Sequence, residues 1–301
     1  MNREDLKEKF RNVFAFPPTP FMPDNLLELN EDGYKRNIRF LIDRGVRAAA
    51  LCAGTGEIRA LSVEEIKRSA KAAIEEAKGE CLLVPSLPPN IKQAIEIGRY
   101  VEKIGAEAVL VFPPDASEDA ILDYHRLLAH HLKIGFMLYP MANRPWSLRL
   151  YKKLAEIENV IALKDEISDV AKFEKIVQLI GERVVCICKK DHSTSVMQFY
   201  YMVGAQGFCG GTISIVPKYE LGIHEAAVNR DWEKMKRLQE KLLPLTQLRA
   251  RTDPVGLLKA GLDMQGLAGG PVRPPRRNLT EEEKEERKGI LQKLGVKIVS
   301  A

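Results

Sequence analysis

Eight short, almost uninterrupted apolar runs punctuate this chain of 301 residues. They begin near Val13, Ala48, Leu82, Ala108, Gly135, Val160, Val184 and Gly207, at intervals of 23 to 35 residues. Runs of about four to six residues without polar alternation suit strands buried on both faces, the condition of a parallel sheet clad in helices. The segments between them carry helix signals. Ser62 and Glu65 form a capping box, in which each side chain satisfies an otherwise orphaned N–H group. Ser117, Ser147 and Ser168 stand where later helices need N-caps. Gly45, Gly105 and Gly204 each precede a strand, where a helix ends readily in the left-handed conformation. Eight such units predict an α/β fold, a (β/α)8 TIM barrel. An open doubly wound sheet is the alternative; even spacing and the lack of G-x-G-x-x-G after the first run disfavour it.

From about Tyr219 the strand pattern stops. Helices are predicted over 219–243, which contains Trp232, over 253–267, and over 280–294, where Thr280 and Glu283 repeat the capping box. A turn-rich connector spans 269–275. The expected organisation is a barrel catalytic domain over 1–225 and a helical region over 226–301 packed on it. EEEKEER reads as a solvated helix face, and Trp146 and Trp232 as packing residues.

Composition excludes several classes. Lys plus Arg number 46 against 41 Asp plus Glu, and the excess of +5 is spread too evenly for a nucleic-acid footprint. Five cysteines (Cys52, Cys81, Cys186, Cys188, Cys209) make no CxxC pattern and sit in or beside apolar runs, as buried free thiols do. The five histidines form no ligand cluster; His130 and His131 are neighbours on a helix and do not share a face. The opening MNREDLKEKF lacks the apolar core of a signal peptide, and no window approaches the ~18 apolar residues of a membrane span. A soluble cytoplasmic protein without metal, cofactor, nucleic-acid or membrane partner is expected.

Barrel chemistry gathers at the C-terminal ends of strands. That rule selects Thr55, Gly56 and Glu57 after the second strand, Tyr139 after the fifth, Lys164 after the sixth, and Gly210, Gly211 and Thr212 after the eighth. Lys164 follows four apolar residues, Val160 to Leu163. Desolvation there would free the amine to attack a ketone and form a Schiff base. The alternative is a structural pair with Asp165 or Glu166. Tyr139 is a candidate proton shuttle, or else a core tyrosine. The 53–56 loop offers uncovered amides for a carboxylate or phosphate, although a tight turn needs glycine anyway. The strand-eight glycines are equally open to a phosphate-binding reading.

These residues resemble the dihydrodipicolinate synthase / N-acetylneuraminate lyase family of class I lyases. PTPF (18–21), AGTGE (53–57), the LYP of Tyr139, the ALKD of Lys164, GAQGFCGGT (204–212) and VRPP (272–275) stand in the family's order and spacing. The resemblance implies that Lys164 forms an imine with pyruvate or another 2-oxo acid. It implies that Tyr139 relays protons while hydrogen-bonded to Thr55, and that the Gly54 and Thr55 amides hold the substrate carboxylate. Arg144, five residues after Tyr139, would bind a second substrate carboxylate; its alternative is a surface arginine. A homo-oligomer, dimer or tetramer, is also implied. Three departures argue against a lysine-pathway synthase. Phe112-Pro113-Pro114-Asp115 replaces the strand-four P-Y-Y, Gly54 replaces the first Thr of G-T-T-G-E, and Ser214 stands for the usual Asn. The AGTGE spelling is more similar to the 5-dehydro-4-deoxyglucarate dehydratase branch, which dehydrates and decarboxylates a sugar acid through the same imine. A phosphate-binding barrel enzyme and a catalytically silent binding barrel are the alternatives.

Overall fold

The computed structural model describes residues 2–23, 28–141, 144–189 and 196–299. Eight parallel strands close into a barrel in sequence order, with the first pairing the eighth. The strands are β1 Val13–Ala15, β2 Ala48–Leu51, β3 Leu82–Leu87, β4 Ala108–Val111, β5 Gly135–Leu138, β6 Val160–Lys164, β7 Val185–Lys189 and β8 Phe208–Gly210. Six of the eight start where the apolar runs do; β7 and β8 start one residue later. Nearly every strand residue is buried, because side chains pointing inward fill the barrel and those pointing outward meet helices.

A short helix, α1 (Arg3–Phe10), precedes the barrel. It closes the N-terminal end. Leu6 packs on Gly135, and the Arg3 guanidinium donates to the carbonyls of Val160 and Arg183 at 2.8 Å each. The clothing helices are α2 Glu31–Asp43, α3 Val63–Ala77, α4 Ile91–Lys103, α5 Glu118–His131, α6 Leu148–Ala155, α7 Val170–Ile180, α8 Val196–Met202 and α9 Pro217–Val228. The Ser62 capping box forms, as do the Ser117 and Ser147 caps. Ser168 does not cap α7. It adopts a left-handed φ of 61°, and Asp169 accepts the Lys172 amide instead at 3.0 Å. The carboxylate one residue later is a charged acceptor facing the positive end of the helix, so it wins the position.

The helix expected over 219–243 is two. After α9 the chain turns at Arg230, whose φ is 57°, and α10 (Trp232–Arg251) starts under an Asp231 cap. The aspartate cap breaks a pattern that apolar spacing alone carried through. α11 (Pro254–Asp263) and α12 (Glu281–Lys293), the latter with its Thr280 capping box, complete the chain. Position 225 lies within α9, which packs against β1 as the barrel's eighth helix. All five cysteines are buried and free.

Candidate active site

At the C-terminal ends of the strands lies a cavity of about 310 Å³. Phe16, Gly54, Thr55, Phe112, Tyr139, Lys164, Gly210 and Gly211 line it, together with Arg249 of α10 and Arg276 of the segment between α11 and α12. A further hollow of about 550 Å³ adjoins it through Gly54, Phe112 and Tyr139.

β6 delivers Lys164 to the floor of this cavity. The chain Val160 to Leu163 is wholly buried, and only the last side chain of the strand reaches the opening. The Lys164 Nζ stands 4.2 Å from the centre of the Tyr139 ring and 5.0 Å from that of Phe16. Its ammonium pairs with Glu166, the pairing weighed as a structural alternative. That pair is not sealed in the core; both members face the cavity. Burial acts to lower the Lys164 pKa, but Cys209, Glu166 and Tyr139 act against it, and the net shift is upward. The expectation of an amine freed by desolvation therefore fails for the resting site. Burial pushes the Cys209 thiol to about 12 and raises Tyr139, so both are neutral at neutral pH. Glu166 is the carboxylate that holds the ammonium. Asp165 points elsewhere: burial raises it to about 6, and it accepts the Ile167 amide at 3.4 Å.

Tyr139 meets Phe112 edge-on, with ring centres 4.9 Å apart, so the strand-four loop keeps an aromatic contact with the phenol without a tyrosine of its own. Thr55 is not bonded to Tyr139. Its hydroxyl donates to the Phe16 carbonyl at 2.7 Å, a nearer acceptor at the end of β1. Gly54 leaves open space where a side chain would stand, so its backbone faces the cavity. Gly56 is required by packing, since a Cβ there would lie 2.8 Å from the Cys52 Cα. At β8, a Cβ on Gly211 would meet Leu258 at 2.5 Å, so α11 covers the strand-eight turn.

Arg144 is not part of the cavity. It is half-exposed, pairs with Asp115, and lines a separate shallow hollow with Ser117 and Trp146. The acidic residue of the β4 loop is the local charge within its reach. In its place the cavity holds Arg249 and Arg276, which the sequence did not single out, besides Glu166 and Lys189. The last two were findable, because both close strand-end phrases. Nothing local marks the arginines.

The flanking motifs build a support beneath this floor. Thr19 donates to the Gly56 carbonyl at 2.8 Å. Glu57 pairs with Lys259 of α11 at 2.6 Å, each side chain only 1% exposed, and accepts the Arg273 amide at 3.0 Å. Phe21 is sandwiched between Lys259 and Arg273, each 4.0 Å from its ring centre. Arg273 also bonds Glu65 at 3.0 Å and the Ala60 carbonyl at 2.7 Å. PTPF, AGTGE and VRPP are thus one contact cluster. Among the described residues no three His, Cys, Asp or Glu side chains are placed to hold a metal, and no helix is long and apolar enough to cross a membrane.

The model of the dihydrodipicolinate synthetase family matches residues 9–294. Curated proteins similar to the chain include a probable 5-dehydro-4-deoxyglucarate dehydratase of Rhizobium meliloti, 29% identical over 302 residues, covering 97% of this chain and 99% of that one. Another, from Bacillus licheniformis, is 26% identical over 277 residues, covering 90% and 89%. Among solved structures, dihydrodipicolinate synthase from Oceanobacillus iheyensis is similar with a TM-score of 0.89 at 24% identity, covering 98% of this chain and 99% of that one, a likeness of fold. That from Bacillus clausii gives 0.88 at 25% identity, covering 96% and 99%.

Proposed function

The chain belongs to the dihydrodipicolinate synthetase family, is a lyase of that family, and on this premise we propose that it dehydrates a 2-oxo sugar acid through an imine on Lys164. The observation that carries the reading is the placement of the Lys164 Nζ at the end of β6, 4.2 Å from the Tyr139 ring in a cavity open to a small molecule. The relatives named as dehydratases support dehydration over the lysine-pathway condensation. So do the strand-four loop 112–115, which has no tyrosine where that synthase pattern reads P-Y-Y, and Gly54, which stands where the pattern has Thr.

In this mechanism Glu166 takes the proton of the Lys164 ammonium. The free amine adds to the C2 carbonyl, and water leaves as the imine forms. The imine draws electrons from the neighbouring C–H bond; the proton departs and an enamine results. The enamine pair then expels the hydroxyl on the next carbon, which takes up a proton and leaves as water. Tyr139, neutral and beside the amine, carries protons in these steps. The Gly54 and Thr55 amides are read as the seat of the carboxylate beside the ketone, since nothing covers the Gly54 backbone. Residues 1–225 carry this chemistry and 226–301 roof it. The phosphate-binding reading loses support because Leu258 lies over Gly211. A dimer or tetramer in the cytoplasm is the assembly and setting we infer for it.

The test is reductive trapping. Borohydride added with pyruvate or with each of a panel of 2-oxo sugar acids is expected to leave a reduced adduct on Lys164, located by mass spectrometry. Lys164→Ala should abolish turnover and adduct while the thermal midpoint holds. An absent adduct across the panel, or turnover surviving in that variant, rejects the imine.

A further inference from the structure

β6 and the turn after it alternate about the cavity. Lys164 and Glu166 line it, and Asp165 between them does not. Successive side chains of an extended segment point to opposite faces, and the Asp165 amide continues the ladder by donating to the Ile187 carbonyl at 2.8 Å. Asp165 is therefore sent outward, where it is only 2% exposed. The groups that feel its charge there are the Tyr151 phenol of α6 and the Cys186 thiol of β7, both of which it helps to raise. Neither is a cation. Burial raises the Asp165 carboxyl, and Glu166 adds to the rise; the Ile167 and Ser168 amides oppose it more than the Lys164 ammonium does. A carboxylate buried away from the reaction is costly unless its hydrogen bonds do something for the fold.

Those hydrogen bonds are to its own turn. Oδ1 accepts the Ile167 amide, two residues on, at 3.4 Å, and the Ser168 amide also favours the charged form. An aspartate bonded in this way takes the place of a backbone acceptor and fixes the peptide planes that follow it. Ser168 holds a left-handed φ of 61°, Asp169 then caps α7, and Ile167 packs against the core. Glu166 is the residue the clasp encloses. With Asp165 turned outward and Ile167 anchored, the Glu166 side chain leaves the backbone toward the cavity and meets Lys164.

We propose that Asp165 is a positioning residue: its carboxylate clasps the 165–168 turn and so holds Glu166 against the Lys164 ammonium. The proposal rests on the reading above, in which Glu166 takes the proton of that ammonium. Asp165 touches neither the substrate nor the reacting atoms. It acts through the backbone it fixes.

The experiment measures the pH at which borohydride trapping of pyruvate on Lys164 reaches half its maximum, in the full chain, with the thermal midpoint followed in each variant. Besides Glu166, the groups that set the Lys164 charge are Cys209 and Tyr139, and every variant leaves both in place. Glu166→Gln should lower the half-maximal pH by ~1–3 units, the effect of losing an opposite charge at contact distance. Asp165→Ala should lower it by at least half as much. Asp165→Glu keeps the charge but displaces the oxygens by a methylene, and it should do likewise. Asp165→Asn, whose side-chain oxygen accepts from the same amides, should stay near the native value. Adding Asp165→Ala to Glu166→Gln should produce no further shift, because a residue that acts only through Glu166 has nothing left to place. The half-maximal pH does not depend on how much protein is folded, and where Asp165→Ala fails to fold, Asp165→Glu carries the comparison. Native profiles in Asp165→Ala and Asp165→Glu, beside a shifted Glu166→Gln, overturn the positioning role alone. So do equal shifts in Asp165→Ala and Asp165→Asn that add to that of Glu166→Gln, which would mean that Asp165 acts on Lys164 by its own charge. An unmoved profile in Glu166→Gln rejects Glu166 as the proton acceptor and the positioning role with it. The imine reading fails by a different result, the absence of any adduct on Lys164.

Discussion

Replacing Glu57 with glutamine tests the support under the strand-two loop. In the native chain its carboxylate faces the Lys259 ammonium at 2.6 Å, and each side chain is 1% exposed. Glu57→Gln keeps an oxygen for the Arg273 amide but removes the charge, leaving Lys259 buried against Phe21 and near Arg273. Breaking one side of a buried pair costs roughly 3–5 kcal/mol, a large share of the ~5–15 kcal/mol that holds a typical domain together. At about 2 °C per kcal/mol for a chain of this size, the thermal midpoint should fall by ~6–10 °C. The deficit should also depend on pH. Burial already lowers the native Lys259 pKa from 10.5 to about 8, with Glu57 opposing the shift. Between those two values the unfolded chain binds more protons at this site, so stability from this group rises with pH across that window. Without Glu57 the pKa moves lower still, and the cost of the buried ammonium is relieved earlier as pH rises. The gap between variant and native chain should therefore narrow from pH 7 to pH 9, measured by urea unfolding at each pH. Pairing the change with Lys259→Met should recover part of the loss, since no unpaired ammonium is then left buried. A deficit below ~1 kcal/mol, or one that widens with pH, would refute the argument that this ion pair supports the loop.

Two further outcomes follow from the same electrostatics. Glu166→Gln leaves burial to act on Lys164 with one opposing charge fewer, so the pH profile of borohydride trapping should move to lower pH; an unmoved profile would mean that Glu166 does not govern the amine. Arg287 of α12 is fully buried, its three side-chain nitrogens lack hydrogen-bond partners among the described residues, and burial lowers its pKa to about 9. Arg287→Met should raise stability by ~1–3 kcal/mol at pH 7, and a lower thermal midpoint would show that the guanidinium has a favourable role.

The barrel was legible because its signals are local. A parallel strand buried on both faces must be apolar throughout, and Val160 to Leu163 announces this without reference to anything distant. Caps at Ser62, Ser117 and Thr280 likewise depend on three neighbouring residues. Local reading failed where two acceptors competed, as when Asp169 displaced Ser168 and when Thr55 turned to the Phe16 carbonyl and not to Tyr139.

The amino-acid pattern by itself determined that eight strands close into a barrel, and that Lys164 and Tyr139 end adjacent strands at the same face. The rule that strand C-termini converge there makes that conclusion independent of helix packing. Only the tertiary structure decided which cations share the mouth with them. Arg249 and Arg276 come from a helix and an inter-helix segment more than 80 residues beyond Lys164 in the chain, and their arrival depends on how α10 and α11 seat on the barrel. Arg144, only five residues from Tyr139, is drawn off by Asp115. Sequence proximity sets which groups can meet; burial and charge across the folded surface set which ones do.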